Sequence, residues 1–286
     1  MTHPTTFPSR VGVLGGGRMG AGIAHAFLIK GADVTVVERD QAAADAARER
    51  IEKSVATSLE RGVLTGTAEA TLTRLGVTIS QDSFADRELV VEAVPEDWEL
   101  KVASLRGIES HLEDHAVLAS NTSSLSVTGL AKELRHPERF LGLHFFNPVP
   151  ASNLIEVVIG EQTDTALVDA ARSWTSTLGK TAVVVHDAPG FASSRLGLAI
   201  ALEAMRMVEE GVADPEDIDN AMVLGYRHHT GPLHTSDLVG LDVRLGIAEY
   251  LESTLGPRFA PPQILRDKVA AGELGLKTGR GFFDWS

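Results

Sequence analysis

Residues 11–40 read VGVLGGGRMGAGIAHAFLIKGADVTVVERD, and this stretch decides the fold. Val11–Gly15 is a short apolar run that ends in glycines. Arg18–Lys30 carries Met19, Ile23, Ala26 and Phe27 at helical spacing, and Asp33–Val37 is β-branched. Strand, glycine turn, helix and strand within about 28 residues make a βαβ unit, which requires a parallel sheet.

Inside that unit, Gly15-Gly16-Gly17-Arg18-Met19-Gly20 fits G-x-G-x-x-G, and Glu38 follows 18 residues after Gly20. The pattern alone is weak. Between a strand and a helix, with an acid at this distance, it is a dinucleotide-binding fingerprint. Gly15 permits the tight turn, Gly17 lets backbone N–H groups approach a pyrophosphate, and Gly20 lets the helix pack on the sheet. These three, with Met19 between them, are the first candidate cofactor-binding residues. Glu38 would accept from an adenosine ribose 2′-hydroxyl and repel a 2′-phosphate, which favours NAD over NADP. Arg39 pulls the other way. A plain tight turn beside a surface Glu is the alternative.

Working outward, the alternation persists to about His186. Val77–Ser80, Leu89–Val94, Ala116–Ser120, Phe140–Phe146, Leu154–Ile159 and Thr181–Val185 read as strands. Gln41–Arg61, Trp98–Leu112, Ser126–Leu134 and Thr165–Leu178 read as helices, the first a long surface helix. The first 10 residues are polar with two prolines and read as a frayed tail. After Asp187-Ala188-Pro189-Gly190 the pattern turns helical, through Arg195–Glu210, Asp217–Leu224, Ser236–Leu255 and Pro262–Ala271. Asp214-Pro215 opens one of these as N-cap and first helical residue. The reading is α/β: a Rossmann-type dinucleotide-binding domain over 1–187, then a smaller all-α domain over 188–286.

Composition sets bounds. The chain has 286 residues, 43% hydrophobic and 23% charged, enough to bury a sizeable core. A net charge of −13 makes it a poor binder of nucleic acid, whose recognition rests on a basic face. The absence of cysteine excludes disulfides, Cys-ligated metal and a thiol nucleophile. No stretch resembles a membrane span or a leader, so the expectation is a cytoplasmic protein with no membrane partner and no metal.

A cofactor fold does not specify a reaction. Among ten histidines, His144 stands out at the end of a buried-looking strand, in Leu141-Gly142-Leu143-His144-Phe145-Phe146-Asn147-Pro148. Twelve residues on, Glu156 sits inside the apolar run Leu154–Val158, where a carboxylate needs a partner. If residues 147–153 return the chain beside its predecessor, the two meet, and a His–Glu pair suits a general base. A structural His and a solvent-facing Glu are the rival reading. Ser120-Asn121-Thr122-Ser123-Ser124-Leu125 ends another strand; its hydroxyls either bind a polar substrate group or cap the next helix.

Taken together, the sequence resembles the L-3-hydroxyacyl-CoA dehydrogenase family, in its short, single-function 3-hydroxybutyryl-CoA type, from about Val11 to Trp285. The carriers are GGGRMGAGIA, VVEAVPED, ASNTSSLSVTGLA, HFFNPVP with LIEVV, LGK, DAPGF, GPL, GLD and LKTGRGFFDW. The resemblance implies NAD-dependent, reversible oxidation of a (3S)-3-hydroxyacyl-CoA, with a short-chain substrate expected, and a homodimer. It implies that His144 is the general base, that Glu156 orients it, and that Ser123 hydrogen-bonds the substrate oxygen. It also implies that Glu96, Lys101, Asn147 and Lys277 contact the cofactor and that Ser54 and Arg61 touch the CoA moiety. Two departures stand out. Ser194 takes a position where relatives often have a substrate-facing Asn, and Tyr226–Pro232 stands where a Pro-Met pair is usual; His228 and His229 within it are either loop residues or unusual pocket groups. Dehydrogenases of non-CoA hydroxy acids, of the L-gulonate or carnitine type, are the nearest alternative. A non-catalytic NAD-binding protein is the other.

Overall fold

The computed structural model describes Thr6–Ser286. His3, in the expected tail, lies outside the described residues. The chain divides into two compact units, Met1–Ala188 and Pro189–Ser286.

In the first unit eight strands form one sheet: β1 (Arg10–Leu14), β2 (Asp33–Val37), β3 (Leu75–Thr78), β4 (Leu89–Glu92), β5 (Val117–Ser120), β6 (Phe140–Phe145), β7 (Leu154–Ile159) and β8 (Thr181–His186). Their spatial order is β3-β2-β1-β4-β5-β6-β7-β8. Every neighbouring pair is parallel except β6 and β7. Chain order reverses between β1 and β4, and ligands of such sheets bind outside the carboxyl ends of the strands near that point. Leu14, Glu92, Ser120 and Gly142 form one register row across β1, β4, β5 and β6, so the segments following them emerge along one edge.

Helices α1 (Arg18–Leu28), α2 (Gln41–Glu60), α3 (Ala68–Leu72), α4 (Trp98–Glu109), α5 (Val127–Ala131) and α6 (Thr165–Thr177) connect the strands. Ile23 and Phe27 of α1, Ala47, Ile51 and Val55 of α2, and Leu167 and Trp174 of α6 join Val11, Val13, Val34, Val36 and Leu141 in one core. The central strands β1, β4 and β5 are buried along nearly their whole length, as parallel strands covered on both faces are, whereas β8 is partly exposed.

The second unit holds α7 (Ser193–Glu209), α8 (Pro215–Tyr226), α9 (Pro232–Val239), α10 (Leu241–Leu255) and α11 (Gln263–Ala270). Leu198, Leu202 and Met205 of α7 pack with Leu233, Leu241, Ala248, Leu251 and Leu265.

The structure corrects several sequence expectations. The tail is not frayed over its described part: Phe7 stacks on Phe27 at 5.6 Å, Ser9 N donates to Glu88 at 2.7 Å, and Arg10 opens β1. The single helix expected over Ser236–Leu255 is two, broken at Gly240, whose φ of +106° no ordinary helical residue adopts. Helix α3 was not foreseen, being one turn long, and β3 starts two residues early, at Leu75.

Candidate active site

The glycine loop fits a dinucleotide closely. Gly15 has φ +90°, a left-handed conformation natural to glycine. A Cβ on Gly20 would stand 1.7 Å from Gly15 O, so the first turn of α1 closes on the loop only without a side chain. At Gly17 a Cβ would meet nothing within 4 Å, leaving the backbone open to a pyrophosphate at the helix N-terminus. Met19 lies against the core. Gly16, a free position in the motif, is constrained too: a Cβ there would be 2.3 Å from Ala47 Cβ. Its N–H donates to Glu38 Oε1 at 2.7 Å, which ties the acid to the loop. Arg39 turns to Asp40, its Nε donating to Oδ2 at 3.0 Å.

His144 and Glu156 are direct cross-strand partners in the antiparallel β6–β7 pair. His144 Nδ1 and Glu156 Oε2 are 2.8 Å apart, and both residues are buried. The carboxylate accepts, so Nδ1 carries the proton and Nε2 is the basic nitrogen of the neutral ring. Phe146 packs on the imidazole with centroids 4.3 Å apart.

Asn121 Oδ1 accepts from Phe145 N at 2.8 Å, tying the loop after β5 to the end of β6 beside His144. Helix capping falls to Ser126, whose Oγ accepts from Gly129 N at 2.9 Å. Residues 122–124 instead converge on Glu96. Its Oε1 accepts from Thr122 Oγ1 at 2.6 Å, from Ser123 N and Ser124 N at 2.9 Å each, and from Ser124 Oγ at 3.0 Å. Ser123 Oγ stands at 3.4 Å. Burial works against the Glu96 charge, but Lys101 and these donors outweigh it and hold the carboxyl below its ordinary range. Lys101 is itself buried, between Glu96 and Glu92.

A cleft of about 880 Å³ opens beside α1 and α2. Arg18, Lys30, Arg50, Lys53, Arg61 and Lys180 line it, with no Asp or Glu among the described residues. Ser54, Asn147 and the buried His25 line it as well. Ser54, Arg61 and Asn147, assigned separately from the sequence, therefore share one wall system. Arg18 of the glycine loop lines the same cleft as Asn147. Lys180 Nζ donates to Val149 O at 2.6 Å and to Ser152 O, which fixes the 148–152 turn over the cleft. The other cations were missed, although Arg50, Ser54, Thr57 and Arg61 are spaced to share one helix face.

Ser194 and Lys277 belong to the second unit. Ser194 lies in the first turn of α7. Lys277 Nζ is paired with Asp242, at 2.5 Å from Oδ1 and 2.6 Å from Oδ2. His228 and His229 fall in the loop between α8 and α9. Among the described residues no His/Cys/Asp/Glu group could hold a metal, and no helix is long and apolar enough to cross a membrane.

Two family models match the chain: "3-hydroxyacyl-CoA dehydrogenase, NAD binding domain" over residues 10–188 and "3-hydroxyacyl-CoA dehydrogenase, C-terminal domain" over residues 190–285. The chain belongs to the 3-hydroxyacyl-CoA dehydrogenase family. A 3-hydroxybutyryl-CoA dehydrogenase of Mycobacterium tuberculosis is 42% identical over 280 residues, covering 96% of this chain and 98% of that one. A probable 3-hydroxybutyryl-CoA dehydrogenase of Deinococcus radiodurans is 40% identical over 277 residues, covering 96% and 100%. The crystal structure of (S)-3-hydroxybutyryl-CoA dehydrogenase from Ralstonia eutropha superposes with a TM-score of 0.93 at 37% identity, covering 98% and 99%.

Proposed function

We propose that this chain is an NAD-dependent dehydrogenase that interconverts a (3S)-3-hydroxyacyl-CoA and the 3-oxoacyl-CoA, with 3-hydroxybutanoyl-CoA as the short-chain substrate. The observation that carries the reading is the buried 2.8 Å contact between His144 Nδ1 and Glu156 at the ligand-binding edge of a sheet that also bears the glycine loop. NAD, when bound on that loop, supplies the hydride acceptor. Glu38 selects it over NADP, because a 2′-phosphate beside this carboxylate is repelled.

In the oxidative direction His144 Nε2 takes the proton of the C3 hydroxyl, and in the reverse direction it returns it. Glu156 holds the ring in that tautomer and stabilises the imidazolium that forms. Ser123 Oγ donates to the substrate oxygen. Its 3.4 Å contact with Glu96 is long and is exchanged at little cost.

The basic cleft supports a CoA thioester over a free hydroxy acid. On a chain of net charge −13, a cleft walled by cations without acids suits the phosphates of CoA. Ser54 and Arg61 would meet that moiety, and Ser194 the acyl end. The helical unit pairs two copies through exposed apolar side chains such as Leu196, Leu224 and Tyr226. A cysteine-free chain fits the reducing cytoplasm.

The test is absorbance at the NADH band with acetoacetyl-CoA, with NADPH in parallel and free acetoacetate as the second substrate. Oxidation of NADH with the thioester only is the expected result. Turnover of the free acid alone would transfer the chain to a non-CoA substrate, and equal rates with NADPH would remove the selector role of Glu38.

A further inference from the structure

The helical unit buries the charged groups of Asp219, Asp237 and Arg244, and only the two acids are matched among the described residues. Asp219 accepts from Leu233 N and His234 N at 2.8 Å each. Asp237 accepts from Phe282 N at 3.0 Å and from Phe283 N and Trp285 Nε1 at 2.9 Å each. Arg244, on α10, is 7% exposed. Its Nε has no hydrogen-bond partner, and among the described residues no carboxylate stands within ion-pair distance of it. Asp242, two residues earlier, gives both oxygens to Lys277. Burial alone draws the Arg244 pKa down to about 10, which leaves the group charged at neutral pH.

A buried cation without a counter-charge is costly, and an apolar side chain of the same volume would serve stability better. Packing is the work of the methylene stem, which methionine would supply as well. What a guanidinium adds is a planar fork of donors that matches a carboxylate. The space beside it is set by a missing side chain. Off its own helix backbone, a Cβ on Gly197 of α7 would meet only Arg244 Nη1 among the described residues, at 3.9 Å. Ser194 lies three residues before Gly197, on the same face of α7. Three residues of helix rise about 4.5 Å, a span that about two further acyl carbons and a hydrogen bond cover.

We propose that Arg244 is a specificity-determining residue that binds a carboxylate at the far end of the acyl chain. The substrates of this chain then include 3-hydroxyacyl-CoA thioesters that end in a second carboxyl group. The methyl of a 3-hydroxybutanoyl group stops short of Arg244, and Gly197 keeps the approach open to a longer chain. A carboxylate completes the guanidinium, whereas an apolar end group of the same length leaves it buried and unmatched. This rests on the reading given above that Ser194 meets the acyl end.

The test pairs two thioesters of equal chain length, 3-oxoadipyl-CoA, which ends in a carboxylate, and 3-oxohexanoyl-CoA, which ends in a methyl. With NADH, wild-type kcat/KM should favour the first by about 10- to 100-fold, the worth of one hydrogen-bonded charge contact. Arg244→Met should bring that ratio towards one, and Gly197→Leu should do the same by filling the approach, so the test survives if either variant fails to fold. Arg244→Met should also raise the urea midpoint of the ligand-free protein, because it removes an unmatched buried charge. Free adipate should raise the midpoint of the wild type and not that of Arg244→Met, and hexanoate should raise neither. Equal kcat/KM for the two thioesters in the wild type overturns the proposal. So does a preference that survives Arg244→Met, or a lowered midpoint with the preference intact, which would make the residue structural. A variant that dissociates into monomers and keeps the preference overturns it too, and gives Arg244 to a carboxylate of a second copy. If the wild type turns over no thioester, the activity reading fails separately, and the adipate shift alone then decides the carboxylate site.

Discussion

His144 and the basic cleft belong to one unit, yet they use charge in opposite ways. His144 and Glu156 are buried, with Nδ1 and Oε2 2.8 Å apart. Arg50 and Lys53 on α2, and Arg61 just past its end, are exposed around an open cleft. In the dry site a hydrogen bond from a ring N–H to a carboxylate is strong and depends steeply on geometry. In the cleft each cation is screened, contributes little alone, and matters by number. Removing one partner should therefore be ruinous at the first site and graded at the second.

The largest expected effect is His144→Ala, which should lower kcat by about 10²- to 10⁴-fold, the usual worth of a positioned acid–base group, with little change in KM. Steady-state rates with acetoacetyl-CoA and NADH check it. A loss in KM alone would place His144 with the binding groups and dissolve the contrast.

A second histidine sharpens it. His25 is buried at the cleft with Nε2 2.8 Å from Ser58 Oγ and no carboxylate beside it. Burial first, and then the charge of Lys180, push its pKa down to about 4. The unfolded chain takes up a proton near the ordinary 6.5 that the folded chain refuses until about 4. The resulting stabilisation is present above pH 6.5 and is lost as pH falls from 6.5 towards about 4. At most it amounts to about 3 kcal/mol. Urea unfolding across that window should show a slope that His25→Gln flattens.

In the cleft, Arg50→Ala with Arg61→Ala should raise KM for the thioester by about 5- to 30-fold, from under about 1 kcal/mol per exposed cation, with kcat unchanged. The wild-type KM should rise with salt and the variant's should rise less. The smallest effect is expected at Glu38. Glu38→Gln should cut the preference for NADH over NADPH by about tenfold, since one of several contacts discriminates. Rates with the two cofactors measure it.

The legible parts of the site were those written locally. The glycine loop declared itself through its strand and helix. His144 and Glu156 were found because a charge inside an apolar run demands a partner, and the register of β6 and β7 supplied one. The cleft was illegible because its wall comes from α1, α2 and the turns at 147–153 and 178–180, segments far apart in the chain. Only the helical spacing of Arg50, Ser54 and Arg61 hinted at it. Glu92 fell inside the run read as the strand Leu89–Val94, and its partners, Ser120 and Lys101, became visible once β4, β5 and α4 were in place. Gly240 was passed over as a helix-interior residue, because the break depends on its φ and not on its neighbours' identities.

The one antiparallel step in the sheet has a consequence for how the chemistry is inherited and assembled. Each parallel neighbour pair joined directly in sequence is connected by a long crossover, whereas β6 and β7 are joined by residues 146–153 alone. The base and its carboxylate therefore sit in a single 20-residue segment, Phe140–Ile159. Closing so short a loop costs little entropy, so the hairpin is able to form before the crossovers that complete the sheet. For the same reason a recombination break anywhere outside that segment passes on the pair intact. The glycine loop, the hydrogen bonds gathered on Glu96 and the cleft are free to diverge around a dyad that travels as one piece.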